Sequence, residues 1–250
     1  MLGALQTKLA HTFDNMNSDA FLSLPSWVIA FGACVLAYLM GSLSFAVLVS
    51  KAFGLEDPRT FGSKNPGATN VLRTGNKAAA ALTLLLDAFK GWLPVFLFVH
   101  GLDLLPLNSP LGQDWLWLDM NPRAWMGAVG LSAFLGHLFP VFFAFKGGKG
   151  VATALGVLIG FEPILGLLTL LCWLGAAKIW RYSSLSALLA SVFAPLAYLL
   201  LDGALWQSES LVLVCSVIMS ALLLYRHKAN LERLFKGQED KIGAKKNQPQ

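Results

Sequence analysis

Charge is what this sequence has least of. Only 13% of its 250 residues are Asp, Glu, Lys or Arg, too few to clothe a soluble chain of that length. Cysteine is nearly absent as well. Cys34, Cys172 and Cys215 all fall inside apolar runs, where a thiol behaves as a small hydrophobe, so neither a disulfide framework nor a zinc or redox centre is indicated. No segment between the apolar runs is large enough to bury a core of its own, and neither an internal repeat nor a heptad pattern is present. A basic amphipathic face is missing too. The net charge of +5 comes from bases scattered among short segments, which points to membrane orientation and anionic small molecules and away from nucleic acid. What remains is apolar: 56% of the residues are hydrophobic and the mean hydropathy is +0.60, the composition of an all-α integral membrane protein.

Apolar runs occur at 27–49, 78–99, 124–145, 151–177, 184–201 and 210–225, and a hydrocarbon core takes about 20 helical residues to cross. The first run is longer than a signal-peptide core and has no small-residue cleavage site behind it, so it is read as a retained span. The fourth carries Glu162-Pro163 near its middle, where a charge and a missing N–H are both costly, and this predicts a hairpin of two short helices. Basic residues test that choice. Two crossings over 151–180 place Lys51, Arg59, Lys64, Arg73, Lys77, Lys146, Lys149, Lys178, Arg181 and every base from Arg226 onward on one side. Only Lys8 and Arg123 fall opposite, with Lys90 inside a span. The expectation is therefore about seven transmembrane helices, two of them short, with the N-terminus outside and the C-terminus cytoplasmic. Residues 1–26 form an extracytoplasmic extension, 27–225 the polytopic helical domain and 226–250 a cytoplasmic tail. The external loop 100–123 carries Trp115 and Trp117, with Trp125 just beyond, and suits anchoring at the membrane interface.

Four polar clusters share the cytoplasmic side of this map. In loop 51–77, Gly54, Gly62, Gly67 and Gly75 let backbone N–H groups approach an oxyanion, Ser63, Asn65, Thr69 and Asn70 add neutral donors, and Arg73 can clamp two phosphate oxygens. The plain alternative is a solvated turn whose bases only set topology. Lys146 and Lys149 flank Gly147 and Gly148 and, with Gly150, precede an apolar helix whose first N–H groups are free for an anion. Gly150 rather than Ser or Thr follows Lys149, so this is not a nucleotide P-loop. Ser183, Ser184 and Ser186 open the fifth apolar run, the sixth span, and capping accounts for one hydroxyl only. His227 and Asn230 share a face if the last helix continues. Asp87 and Lys90, three apart within a span, are read as a mutually neutralising pair, and His137 as a structural histidine. Such convergence of basic, small and polar residues on one face indicates a phosphate-bearing substrate at the cytoplasmic interface.

At these residues the chain resembles the bacterial acyl-phosphate:glycerol-3-phosphate acyltransferase family (PlsY). The pattern GSGNPGATNVLR is met by Gly62 to Arg73, with Lys64 where the pattern has glycine; GHxFPVFxxFKGGKGVAT is met by residues 136–153, and RHxxNxxRL by 226–234. The resemblance implies transfer of a fatty acyl group from acyl phosphate to the 1-hydroxyl of glycerol 3-phosphate, giving lysophosphatidic acid in the bacterial inner membrane with the site facing the cytoplasm. It implies substrate-phosphate contacts at Ser63, Arg73, one of Lys146 and Lys149, one of Ser184 and Ser186, His227 and Asn230. No cofactor and no metal are implied; the partners the resemblance implies are the two substrates, membrane lipid and the enzyme that makes acyl phosphate. His227 is a candidate base, whereas the serines lack the paired histidine and carboxylate of an activated nucleophile. The His-x4-Asp signature of thioester-dependent acyltransferases is missing. A transporter or flippase of a phosphorylated metabolite is the alternative of another class; it would also need basic gates, but no repeated pair of broken helices is visible in the sequence. A non-catalytic lipid-binding scaffold is the third.

Overall fold

A computed structural model describes residues 26–100 and 122–243. Residues 1–25 of the extension, loop 101–121 with Trp115 and Trp117, and residues 244–250 lie outside the described residues. The described part is helical, with one isolated bridge between Asp202 and Trp206. The helices are α1 (Ser26–Gly41), α2 (Phe45–Ala52), α3 (Ala68–Val71), α4 (Lys77–His100), α5 (Pro122–Leu138), α6 (Val151–Phe161), α7 (Pro163–Trp180), α8 (Ser183–Leu200), α9 (Ser210–Arg226) and α10 (Lys228–Phe235).

Four of these elements are long and apolar enough to cross a membrane, and six spans result if the bent pairs α1 with α2 and α9 with α10 each count once. The Glu162-Pro163 break falls where the sequence places it. Glu162 is extended (φ −148°), and Pro163 opens α7 at the position where its missing N–H costs nothing. Of the two short helices expected there, only α6 is short, with 11 residues; α7 has 18. The first apolar run, expected as one span, bends by 41° between α1 and α2, and the last segment turns by 56° at His227, so breaks that the hydropathy did not reveal lie beside the motif loops.

Packing is closest where glycines remove side chains. A Cβ on Gly91 of α4 would lie 2.2 Å from the Thr153 carbonyl oxygen, and one on Gly156 of α6 would lie 1.9 Å from that of Ala88, so α4 and α6 meet backbone to backbone. The core at the centre of the bundle includes Phe134, Val157, Leu165, Tyr198 and Val212, none of them exposed. Large apolar residues such as Phe31, Leu36, Leu85 and Leu200 face outward, as a lipid-facing surface requires. The expected intramembrane pair is present. Lys90 Nζ lies 2.8 Å from Asp87 Oδ1 and donates to the Leu43 carbonyl at 2.7 Å, which ties α4 to the bend in the first span. His137 Nδ1 lies 3.7 Å from the same Asp87 oxygen. Each of the four polar clusters sits at a helix end or a connection; α4 packs on α5 and α6, and α8 on α7 and α9, which sets their spacing.

Candidate active site

The loop after α2 is folded around Asn70. Its side chain is buried, its Nδ2 donates to the carbonyls of Pro58 (2.6 Å) and Phe61 (3.2 Å), and its Oδ1 accepts the Ser63 amide (3.1 Å). Its side-chain polar atoms are thus directed into the loop, whose shape Asn70 holds. Ser63 and Thr69 are exposed, Asn65 and Gly67 partly so. Lys64, which replaces the pattern's glycine, has φ 55°, a left-handed conformation costing a side-chain-bearing residue about 1 kcal/mol or more. Arg73 projects from a 3-10 turn (Leu72–Thr74), and its Nη2 meets the Asp240 carboxylate at 2.9 Å.

The glycine loop separates the two lysines. A 3-10 turn at Val141–Phe143 and left-handed Ala144 and Phe145 leave Lys146 exposed, whereas the half-buried Lys149 turns inward and donates to Asn230 Oδ1. Gly147 and Gly148 are buried against His137; a Cβ on Gly148 would stand 2.2 Å from the His137 ring. Gly150 is left-handed (φ 86°), and α6 then starts with no side-chain cap, which leaves its first N–H groups for a ligand. Burial lowers the Lys149 pKa to about 8; Glu239 opposes the shift, and Arg233, Arg226 and Arg73 reinforce it.

The serines divide in the same way. Ser184 Oγ donates to Glu239 Oε1 at 2.6 Å, while the wholly buried Ser186 bonds back to the Tyr182 carbonyl of its own helix at 2.8 Å. Asn230 Nδ2 donates to the same Glu239 oxygen (2.6 Å), and Arg233 Nε to the other (2.7 Å). Burial works against ionisation of Glu239, but the hydrogen bonds from Ser184, Asn230 and Arg233 outweigh it and hold its pKa below the usual value. His227 is buried with Nδ1 2.9 Å from the Leu223 carbonyl. A carbonyl only accepts, so Nδ1 carries the proton and Nε2 keeps its lone pair. Burial, reinforced by Lys149, lowers the His227 pKa to about 4, so the ring is neutral near pH 7.

Arg73, Lys149, Ser184 and Asn230 are thus drawn into one cluster, with His227 close enough to Lys149 to feel its charge, and the carboxylates of Glu239 and Asp240 already hold three of them. Lys146 is exposed, and Ser186 and Asn70 bond within their own segments. Sequence reasoning overlooked Glu239, Arg233 and Arg226; the last clamps the carbonyls of Gly147 and Gly148. The available signal was an acidic pair, Glu239-Asp240, just beyond a basic motif. A cationic cluster with uncapped helix starts, a neutral imidazole and, among the described residues, no serine bonded to a histidine can bind phosphate and support transfer between bound groups.

Comparison with known proteins agrees with this chemistry. Residues 31–237 match the family described as "Glycerol-3-phosphate acyltransferase". A glycerol-3-phosphate acyltransferase of Albidiferax ferrireducens is 54% identical over 213 residues, 85% of this chain and 89% of that protein. One of Bordetella pertussis is 50% identical over 234 residues, 92% of this chain and 100% of that protein. The crystal structure of PlsY, an integral membrane glycerol 3-phosphate acyltransferase, in its glycerol 3-phosphate form has a TM-score of 0.71 at 37% identity, covering 86% of this chain and 96% of that one. Its lysophosphatidic acid form has a TM-score of 0.69 at 36% identity, covering 86% and 95%.

Proposed function

This chain belongs to the glycerol-3-phosphate acyltransferase family, and on that premise we propose that it moves a fatty acyl group from acyl phosphate to the 1-hydroxyl of glycerol 3-phosphate, giving lysophosphatidic acid and inorganic phosphate. The observation that carries this reading is the gathering of Arg73, Ser184 and Asn230 on the carboxylates of Asp240 and Glu239, with Lys149 on the Asn230 amide oxygen, at one end of an apolar bundle. Phosphate is recognised at the cluster while the acyl chain stays in lipid. The charge distribution supports seven crossings: the six candidate spans together with α6, with the cluster and C-terminus on the cytoplasmic side of the inner membrane.

The donor is a mixed anhydride with a good leaving group, so positioning and charge stabilisation suffice. Arg73 and Lys149 offset the charge on the phosphates, and the uncapped N–H groups of α6 add fixed dipoles. His227 Nε2 accepts the hydrogen bond of the attacking hydroxyl and aims it. With a pKa of about 4 the ring is too weak a base to keep the proton. As the new ester C–O bond forms, the C–O bond to phosphate breaks, and the hydroxyl proton passes to an oxygen of the departing phosphate. Ser184 is bonded to Glu239 rather than to His227, so no covalent acyl-serine is called for. The test is turnover of the purified protein with acyl phosphate and glycerol 3-phosphate in the absence of CoA and carrier protein. Lysophosphatidic acid should form; turnover with acyl-CoA but none with acyl phosphate refutes the donor assignment.

A further inference from the structure

Arg226 stands between α9 and the histidine of the last motif, where an arginine would ordinarily be read as another phosphate contact. Its guanidinium is directed elsewhere. Nη2 donates to the carbonyls of Gly147 (2.7 Å) and Gly148 (2.9 Å), Nε donates to Gly148 again (3.1 Å), and the group lies 6.0 Å from the centre of the Phe139 ring. A half-buried guanidinium joined to two successive neutral carbonyls, with no carboxylate partner among the described residues, keeps its charge and in addition fixes the orientation of two peptide planes.

A trans peptide carries its C=O and N–H on opposite sides. For the Gly147–Gly148 peptide this is visible: the carbonyl goes to Arg226, and the N–H goes the other way to the His137 carbonyl at 3.2 Å. For the Gly148–Lys149 peptide the carbonyl again goes to Arg226. Its N–H, on Lys149, has no acceptor among the described residues. That N–H belongs to the residue whose ammonium reaches Asn230, and it immediately precedes the uncapped start of α6. The loop is packed tightly here: a Cβ on Gly147 would lie 2.1 Å from the His137 carbonyl oxygen, and one on Gly148 2.2 Å from the His137 ring.

We infer that Arg226 is a positioning residue: by holding the carbonyls of Gly147 and Gly148, it presents the Lys149 amide to a substrate phosphate and keeps two carbonyl oxygens from facing that anion. This rests on the phosphate reading of the cluster. The phosphate is that of glycerol 3-phosphate or of the acyl donor, and separate KM values distinguish them.

The experiment compares full-length protein with Arg226→Lys and Arg226→Gln, measuring kcat, both KM values and thermal midpoint. Lysine keeps the charge but loses the fork that spans two carbonyls. Both variants should raise the KM for one phosphate substrate by about ten-fold or more while kcat stays within a small factor, the signature of lost binding common to ground and transition states. Arg226→Lys matching the parent while Arg226→Gln is impaired would reduce Arg226 to an attracting charge and overturn the inference, as would a fall in kcat with both KM values unchanged. Should a variant fail to fold, the parent protein decides the matter. Inorganic phosphate should slow hydrogen exchange of the Lys149 amide, and unchanged exchange at saturating phosphate overturns the proposal. An active parent with normal Arg226→Lys kinetics sinks this inference alone, whereas an inactive parent sinks the acyltransferase reading.

Discussion

Between pH 7 and pH 9 the enzyme should lose roughly nine-tenths of its kcat/KM for glycerol 3-phosphate, on account of Lys149. Burial, partly offset by Glu239 and reinforced by Arg233, Arg226 and Arg73, brings its pKa to about 8. A group with that pKa is about 90% charged at pH 7 and about 10% charged at pH 9, and kcat/KM reports the free enzyme, in which no substrate phosphate yet holds the proton in place. Lys149→Arg keeps its charge across the whole range and should lose the inflection, whatever its activity at pH 7. Stability should move the other way. The folded-state pKa lies below the ordinary 10.5, so the unfolded chain binds more protons between about pH 8 and 10.5, and the contribution of this group to stability rises with pH in that window. Falling activity would therefore not reflect unfolding caused by Lys149. The assay is the initial rate of lysophosphatidic acid formation at subsaturating glycerol 3-phosphate, with the thermal midpoint measured in the same buffers. A flat kcat/KM through pH 9, or an inflection that survives in Lys149→Arg, refutes the reasoning.

Three further outcomes follow from the geometry. Arg73→Lys keeps charge and topology but loses the planar fork, so kcat/KM should fall about ten- to a hundred-fold, with Lys77→Arg as a near-neutral control; full activity in Arg73→Lys would reduce Arg73 to a topology charge. Ser184→Ala removes a donor from Glu239 in the cluster, whereas Ser186→Ala removes a bond internal to its own helix; kinetics should place the loss in kcat/KM mainly at Ser184, and equal effects would contradict the assignment. Single cysteines at Glu56 and Gln238, in a background without the native three, should react with an impermeant thiol reagent from the same side of the membrane, and labelling from opposite sides removes the seven-span topology.

The hairpin at Glu162-Pro163 is legible because proline and charge interrupt an apolar run, a local signal that survives folding. The bend at Gly41-Ser42-Leu43-Ser44 is harder to read, since two hydroxyls and a glycine between long apolar stretches are compatible with a continuous span, and the contact that meets the bend, Lys90 of α4 on the Leu43 carbonyl, is distant in sequence. The same contrast runs through the site. Motif spacing brings out Arg73, His227 and Asn230, but which of Lys146 and Lys149 turns inward depends on left-handed Ala144 and Phe145, which sequence pattern does not encode. Asn70 reads as a free donor until its amide is seen closing its own loop. Glu239 was overlooked for an electrostatic reason: an acid reads as hostile to a phosphate site, yet here it holds Ser184, Asn230 and Arg233 in a single arrangement.

Direct transfer at a phosphate seat, with no serine activated by His227, is the central claim, and the most direct measurement is the intact mass of the protein quenched after incubation with excess acyl phosphate and no glycerol 3-phosphate. The account predicts an unmodified chain that forms lysophosphatidic acid once the acceptor is added. An acyl ester on Ser63 or Ser184 that is discharged by glycerol 3-phosphate would contradict it.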